Sequence, residues 1–120
     1  MTNKQLQLCS FEQAKRLKEL GFNWEIKNYY FYNNKNNVFS TVTGKDYDWN
    51  LLTHFQDNRI SAPTIALALK WCRDVKNTKN CVCFGKYGWY ICIQGKEHGQ
   101  GYLSYESAEN ASLDELLNTV

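Results

Sequence analysis

The chain has 120 residues, 43% of them hydrophobic and 15% aromatic, with a single proline. That composition suits one domain with a substantial core, read here over 1–120 with 1–7 loosely held, and excludes a low-complexity chain. Fourteen Lys+Arg against 12 Asp+Glu leave a net charge of +2, too small to mark a nucleic-acid binder by charge alone. No apolar run reaches the ~18 residues of a membrane span, and Met1–Gln5 lacks the apolar core of a secretory signal. The expected setting is therefore cytoplasmic, with no membrane partner, and the five cysteines are expected as free thiols.

The first expected helix covers 10–20. Ser10-Phe11-Glu12-Gln13 fits a capping box, in which Gln13 reaches back to the N-cap amide. Phe11, Ala14, Leu17 and Leu20 share a face. Gly21 stands where a left-handed C′ residue belongs, and Phe22 is placed to touch Leu17 as in a Schellman motif.

Asn28–Tyr32 and Val38–Val42 read as a hairpin across the Asn33–Asn37 turn. Period-two alternation sends Tyr30 and Tyr32 to one face and Tyr29 and Phe31 to the other. Gly44-Lys45-Asp46 reads as a further turn. Trp49, Leu51, Leu52 and Phe55 call for burial, but their spacing fits neither a helix nor a strand, so 43–59 is read as an irregular ordered segment or a short strand near 50–60.

Ile60–Asn77 carries the clearest helix pattern. Pro63 is placed in its first turn, where a missing N–H costs nothing, with Ser61 or Ala62 as N-cap. Ile65, Leu67, Ala68, Leu69, Trp71, Cys72 and Val75 form a broad apolar arc, and Lys70, Arg73 and Asp74 form the opposite face. On this arc Trp71 is expected as core.

A second hairpin follows. Cys81–Phe84 and Trp89–Ile93 flank Gly85–Gly88, and pairing Phe84 with Trp89 sets Val82 opposite Ile91 and Cys81 opposite Cys92. Phe84, Trp89, Val82, Ile91 and Ile93 are then expected to pack on helices, leaving Cys81, Cys83, Tyr90 and Cys92 on the other face. Gly95–Gly99 reads as a turn and Gln100–Ser104 as a third strand. The last helix starts at Ser104-Tyr105-Glu106-Ser107, with a second capping box at Ser112-Leu113-Asp114-Glu115 and a kink near 110–112. Together these elements predict an α+β fold ordered α-β-β-(irregular)-α-β-β-β-α, an antiparallel sheet with three helices packed mainly on one face.

No phosphate-loop, dinucleotide, nucleophile-elbow or metalloprotease motif is present, and no enzymatic activity, cofactor or metal is expected. Cys81-Val82-Cys83 lacks the Cys-x2–4-Cys spacing and second pair of a zinc knuckle. Cys72 lies on an apolar helix face, where a thiol is inert. Cys9 precedes a helix N-terminus, the one place where its pKa could fall, although an apolar staple residue belongs there too. Residues 61–104 carry Lys70, Arg73, Lys76, Lys79, Lys86 and Lys96 against Asp74 and Glu97, and residues 105–120 carry Glu106, Glu109, Asp114 and Glu115 with no basic residue. Lys70, Arg73, Lys76 and Lys86, with Tyr30 and Tyr32, are the residues that a partner or a nucleic acid could use, the tyrosines by stacking unpaired bases.

Three segments carry a resemblance: Ser10-Phe11-Glu12-x-Ala14-Lys15-x-Leu17-Lys18-Glu19-x-Gly21-Phe22, Ser61-Ala62-Pro63-Thr64-x-Ala66-Leu67-Ala68-x-Lys70-Trp71-x-Arg73, and Tyr105-Glu106-x-Ala108 followed by Leu116. The chain resembles a group of small uncharacterised proteins of Bacteroidetes and their phages and prophages, and departs from it at Ile65, where the group carries Gln. The resemblance implies origin in a mobile element and an intracellular setting, without a mechanism. The expected function is a non-catalytic accessory or protein-interaction domain, with an unknown protein partner or a weak homodimer. The alternative is a nucleic-acid-binding module that uses 70–96 or the Tyr29–Tyr32 strand.

Overall fold

The computed structural model describes residues 7–33, 38–51 and 58–119. The α+β class and the order of elements agree with the sequence reading, and the irregular segment contributes a short strand. The strands divide between two three-stranded antiparallel sheets rather than joining in one. The chain likewise divides into two compact units, Leu8–Pro63 and Thr64–Val120 with Gln7.

The first unit holds α1 (Phe11–Glu19), β1 (Ile26–Asn33), β2 (Val38–Tyr47) and β3 (Arg59–Ser61), with sheet order β2-β1-β3. Both ends of α1 form as the sequence predicts. Ser10 Oγ accepts from the Gln13 amide at 3.1 Å, and Gln13 Oε1 accepts from the Ser10 amide at 2.7 Å. Gly21, at φ +97°, donates to the Lys18 carbonyl, and the Phe22 amide donates to Leu17 at 2.9 Å. Phe11 lies edge-on to Tyr30 and Tyr32 at 5.6 and 5.8 Å, so those tyrosines face the helix. On the opposite face Tyr29 packs on Trp49, and the Arg59 guanidinium lies over both rings.

Two readings in this unit are corrected. Gly44-Lys45-Asp46 is not a turn but part of β2. A Cβ on Gly44 would come within 3.0 Å of the Trp49 ring, so the glycine serves the close approach of that ring to the strand. Leu51 is exposed, whereas Trp49 is buried and donates its indole N–H to the Ile26 carbonyl. Leu52, His54 and Phe55, like the turn residues 34–37, lie outside the described residues.

The second unit holds α2 (Ile65–Asp74), β4 (Asn80–Gly85), β5 (Gly88–Ile93), β6 (Lys96–Tyr102) and α3 (Tyr105–Thr119), with sheet order β4-β5-β6. α2 starts later than the sequence suggests. Thr64 is its N-cap, accepting from the Leu67 amide at 3.1 Å, while Ile60 and Ser61 belong to β3 and Pro63 precedes the cap. Ile65, Ala68, Leu69, Trp71 and Cys72 are buried, but Val75 is exposed because the helix has already reached its C-cap there.

The hairpin register matches the reading: Cys81 faces Cys92, Val82 faces Ile91 and Phe84 faces Trp89. β6 begins at Lys96, earlier than expected. Gln94 (φ +54°) and Gly95 (φ +81°) make the two-residue turn, since consecutive positive φ values match the twist of a hairpin. α3 runs without a break. Ser104 Oγ accepts from the Ser107 amide as its cap, but Ser112 is fully buried in mid-helix instead of capping a second piece. Ala108-Ser112-Leu116 and Glu109-Leu113-Leu117 form one continuous stripe against the sheet.

Candidate functional site

The β4–β5 hairpin displays two chemically different faces. Asn80, Val82, Phe84, Trp89, Ile91 and Ile93 share one, which α3 covers; Ile91 and Ile93 are buried. α3 begins at Tyr105, whose ring meets Trp89 edge-on at 5.4 Å. Phe84 meets Trp89 edge-on at 4.9 Å and stays 69% exposed. The expected helix-packed position of Phe84 is thus corrected. Leu103, which leads into α3, is 98% exposed, and Tyr87 at the hairpin tip is 70% exposed. Phe84, Trp89 and Tyr105 form an aromatic ledge at one end of this unit.

Beside the ledge a cleft of about 370 Å³ shares Tyr105 and is bordered by Arg73, Asn80 and Glu109. Arg73 Nη1 donates to Asn80 Oδ1 at 2.7 Å. Burial raises the Glu109 carboxyl above the usual range and Glu106 adds to the rise, while a hydrogen bond from Tyr105 works against it.

Cys81, Cys83, Tyr90 and Cys92 occupy the other face, as expected. Their side chains converge more closely than the alternation alone requires. All three Sγ atoms lie within 4.8 Å of one another, and those of Cys81 and Cys83 are 3.6 Å apart. Strand geometry is the cause: residues two apart in β4 point the same way, and the ladder sets Cys92 directly across from Cys81. Glu97 stands across from Cys92 on β6 and accepts from Gln100 at 2.9 Å. Burial, followed by the neighbouring Cys83 and Cys92 thiols, pushes the Cys81 thiol up to about 11. The Tyr90 phenol is raised chiefly by its interaction with Cys83.

Among the described residues, Cys9 and Cys72 belong to no such cluster. Burial pushes Cys9 up to about 12 and Cys72 up to about 11, so the helix terminus near Cys9 does not lower its pKa.

The six residues singled out from the sequence are divided between the units. Tyr30 is 6% exposed under Phe11 and donates to the Cys9 carbonyl at 2.5 Å, so it has no open face for a base. Tyr32 is half-buried against the same phenylalanine. In the second unit Lys70 pairs with Asp74 at 2.6 Å, Arg73 binds Asn80, and Lys76 lies over the Trp71 ring. Lys86 lies over Tyr87 at the exposed hairpin tip. The tyrosines and the cations therefore do not form one surface within either unit.

What the sequence reading passed over is the cysteine triad. The expected register sets Cys81 opposite Cys92 and beside Cys83, but the linear spacing of Cys81-Val82-Cys83 matches no zinc-knuckle pattern and so carries no signal of the cluster. No protein family, curated protein or solved structure matches the chain. No helix among the described residues is long and apolar enough to cross a membrane.

Proposed function

We propose that this protein is a non-catalytic interaction module that docks a protein partner through the Phe84–Trp89–Tyr105 ledge, a second copy of the chain being the simplest partner. One observation carries the reading: Phe84 and Leu103 are 69% and 98% exposed, and Phe84 lies edge-on to Trp89, which in turn meets Tyr105 edge-on. Large apolar side chains gathered at one end of a unit gain from being covered, and a central aromatic cluster with a polar margin is how hot spots are built. Arg73, Asn80 and Glu109 around the neighbouring cleft supply that margin. The resemblance of the helices to proteins of Bacteroidetes and their phages adds an origin in a mobile element and a cytoplasmic setting to the proposal.

The test is self-association measured by light scattering over a wide concentration range, with proximity crosslinking in cells for a different partner. Covering a side chain such as Phe84 or Leu103 is worth about 1.5–3 kcal/mol. Phe84→Ser and Leu103→Ser should each weaken association by about tenfold or more while leaving the circular dichroism spectrum intact. A protein that stays monomeric throughout, and whose crosslinked neighbours are the same with and without the two substitutions, would rule the reading out.

The Lys86–Tyr87 hairpin tip favours nucleic acid as the second reading. Fluorescence anisotropy with single-stranded DNA and RNA at low salt, where electrostatic affinity is greatest, decides it. Binding lost in Lys86→Ala but kept in Phe84→Ser would establish the nucleic-acid reading in place of the first.

A further inference from the structure

We propose that Cys81, Cys83 and Cys92 form a binding site for one thiophilic cation of the Cu(I) type on the face of the second sheet opposite α3. The site is already close to the required dimensions. Metal–sulfur bonds of about 2.3 Å set three coordinating sulfurs about 3.8–4.0 Å apart. The Cys81–Cys83 separation is 3.6 Å, and no sulfur pair exceeds 4.8 Å. Small rotations of the side chains close the remaining distance, and the β4–β5 ladder holds the three Cα positions whether or not an ion is present.

The donor set selects the ion. Thiolates are soft and favour Cu(I) and Zn(II) over harder cations. A structural zinc site needs four protein ligands, whereas the group that converges here consists of three cysteines among the described residues. A monovalent d10 ion is satisfied by three sulfurs in a plane. Glu97, opposite Cys92, adds negative charge beside the site and favours a cation without being one of the converging donors. On binding, the ion replaces the thiol protons, which pass to solvent, and no electron is transferred. The site lies on a different face from the aromatic ledge, so its failure leaves the docking proposal standing, and the reverse also holds.

The experiment is anaerobic titration of the fully reduced protein with Cu(I) in competition with a Cu(I)-selective chelator. The protein should take up a single equivalent and gain thiolate-to-copper absorption in the ultraviolet. Cys81→Ser, Cys83→Ser and Cys92→Ser should each weaken uptake by at least about tenfold, as expected when even a supporting group at a metal site costs that much. The triple variant, which keeps Cys9 and Cys72, should leave the chelator's copper untouched. Alkylation of the wild-type protein gives a second readout that needs no variant: Cu(I) should shield Cys81, Cys83 and Cys92 together. Failure to compete with the chelator, uptake that survives in the triple variant, or Zn(II) competing on equal terms would each overturn the assignment.

Discussion

Asn50 shows how much one side chain can hold. Its Nδ2 donates to the Phe22 carbonyl at 2.9 Å, and its Oδ1 accepts from the Ser61 amide at 2.9 Å, so one amide ties the exit of α1 to β3. Asp48 Oδ1 fixes the Asn50 backbone in turn, and neighbouring Trp49 reaches the Ile26 carbonyl. Removing such an amide strands two backbone groups, each worth about 1–3 kcal/mol where water cannot replace the bond. Asn50→Ala should therefore lower unfolding free energy by about 2 kcal/mol, measured by urea denaturation. Asn50→Asp retains the acceptor and should lose less. Equal losses, or no loss in the alanine variant, would contradict this account. Nothing in the local sequence announces the role. The partners lie 28 and 11 residues away, and a polar residue in an aperiodic stretch looks the same whether it solvates a loop or ties two elements together.

At the scale of the element, α1 was legible to the residue because every signal that ends it is local: a cap, a box partner three positions on, a glycine, and the hydrophobic residue after it. α2 was legible in its apolar face but not at its start, because Ser61 and Thr64 are both competent caps and Pro63 suits the first turn of a helix. Pairing decided between them. Ser61 pairs with Tyr29 in the β1–β3 ladder, so the chain is still extended there and Thr64 becomes the cap. The two serine/threonine hydroxyls should therefore respond differently to removal. Thr64→Ala should cost about 1 kcal/mol, the usual value of an N-cap. Ser61 Oγ is fully buried and has no hydrogen-bond partner among the described residues. Ser61→Ala should be neutral or stabilising, because it removes a desolvated hydroxyl without orphaning another group. Thermal melts of the two variants check this, and a larger loss at Ser61 than at Thr64 would restore the earlier start of the helix.

At the scale of the molecule, strands were readable and their grouping was not. Alternation and turn residues mark where a strand runs, whereas the choice of partner is a non-local property. β4, β5 and β6 join through tight turns and pair in sequence order, so their sheet follows from the hairpins. β3 instead returns to β1 across a long connection and ends at Ser61; the Ala62 amide still donates to the Asn28 carbonyl, and Pro63 after it has no N–H to extend the ladder. The small residue at Ser112 likewise hid the continuity of the α3 stripe, and with it the burial of Glu109. That burial has a consequence for the stability of the whole protein. In the unfolded chain Glu109 titrates at its ordinary value, and in the folded protein burial raises it. The folded state therefore holds the proton more tightly. Below the unfolded pKa both states are protonated and burial of the charge costs nothing; the cost grows as pH rises through the interval and is complete above the folded pKa. The buried thiols of Cys9 and Cys72, at about 12 and 11, titrate far above this interval and do not obscure it. Glu109→Gln keeps an acceptor for Tyr105 and removes the charge. It should raise the melting temperature at neutral pH and lose that advantage at about pH 4 and below, where the wild-type carboxyl is protonated as well. A gain of the same size at both pH values would mean that packing, not charge, limits stability at this position, and a loss at neutral pH would mean that the ionised carboxylate is already well compensated by Tyr105.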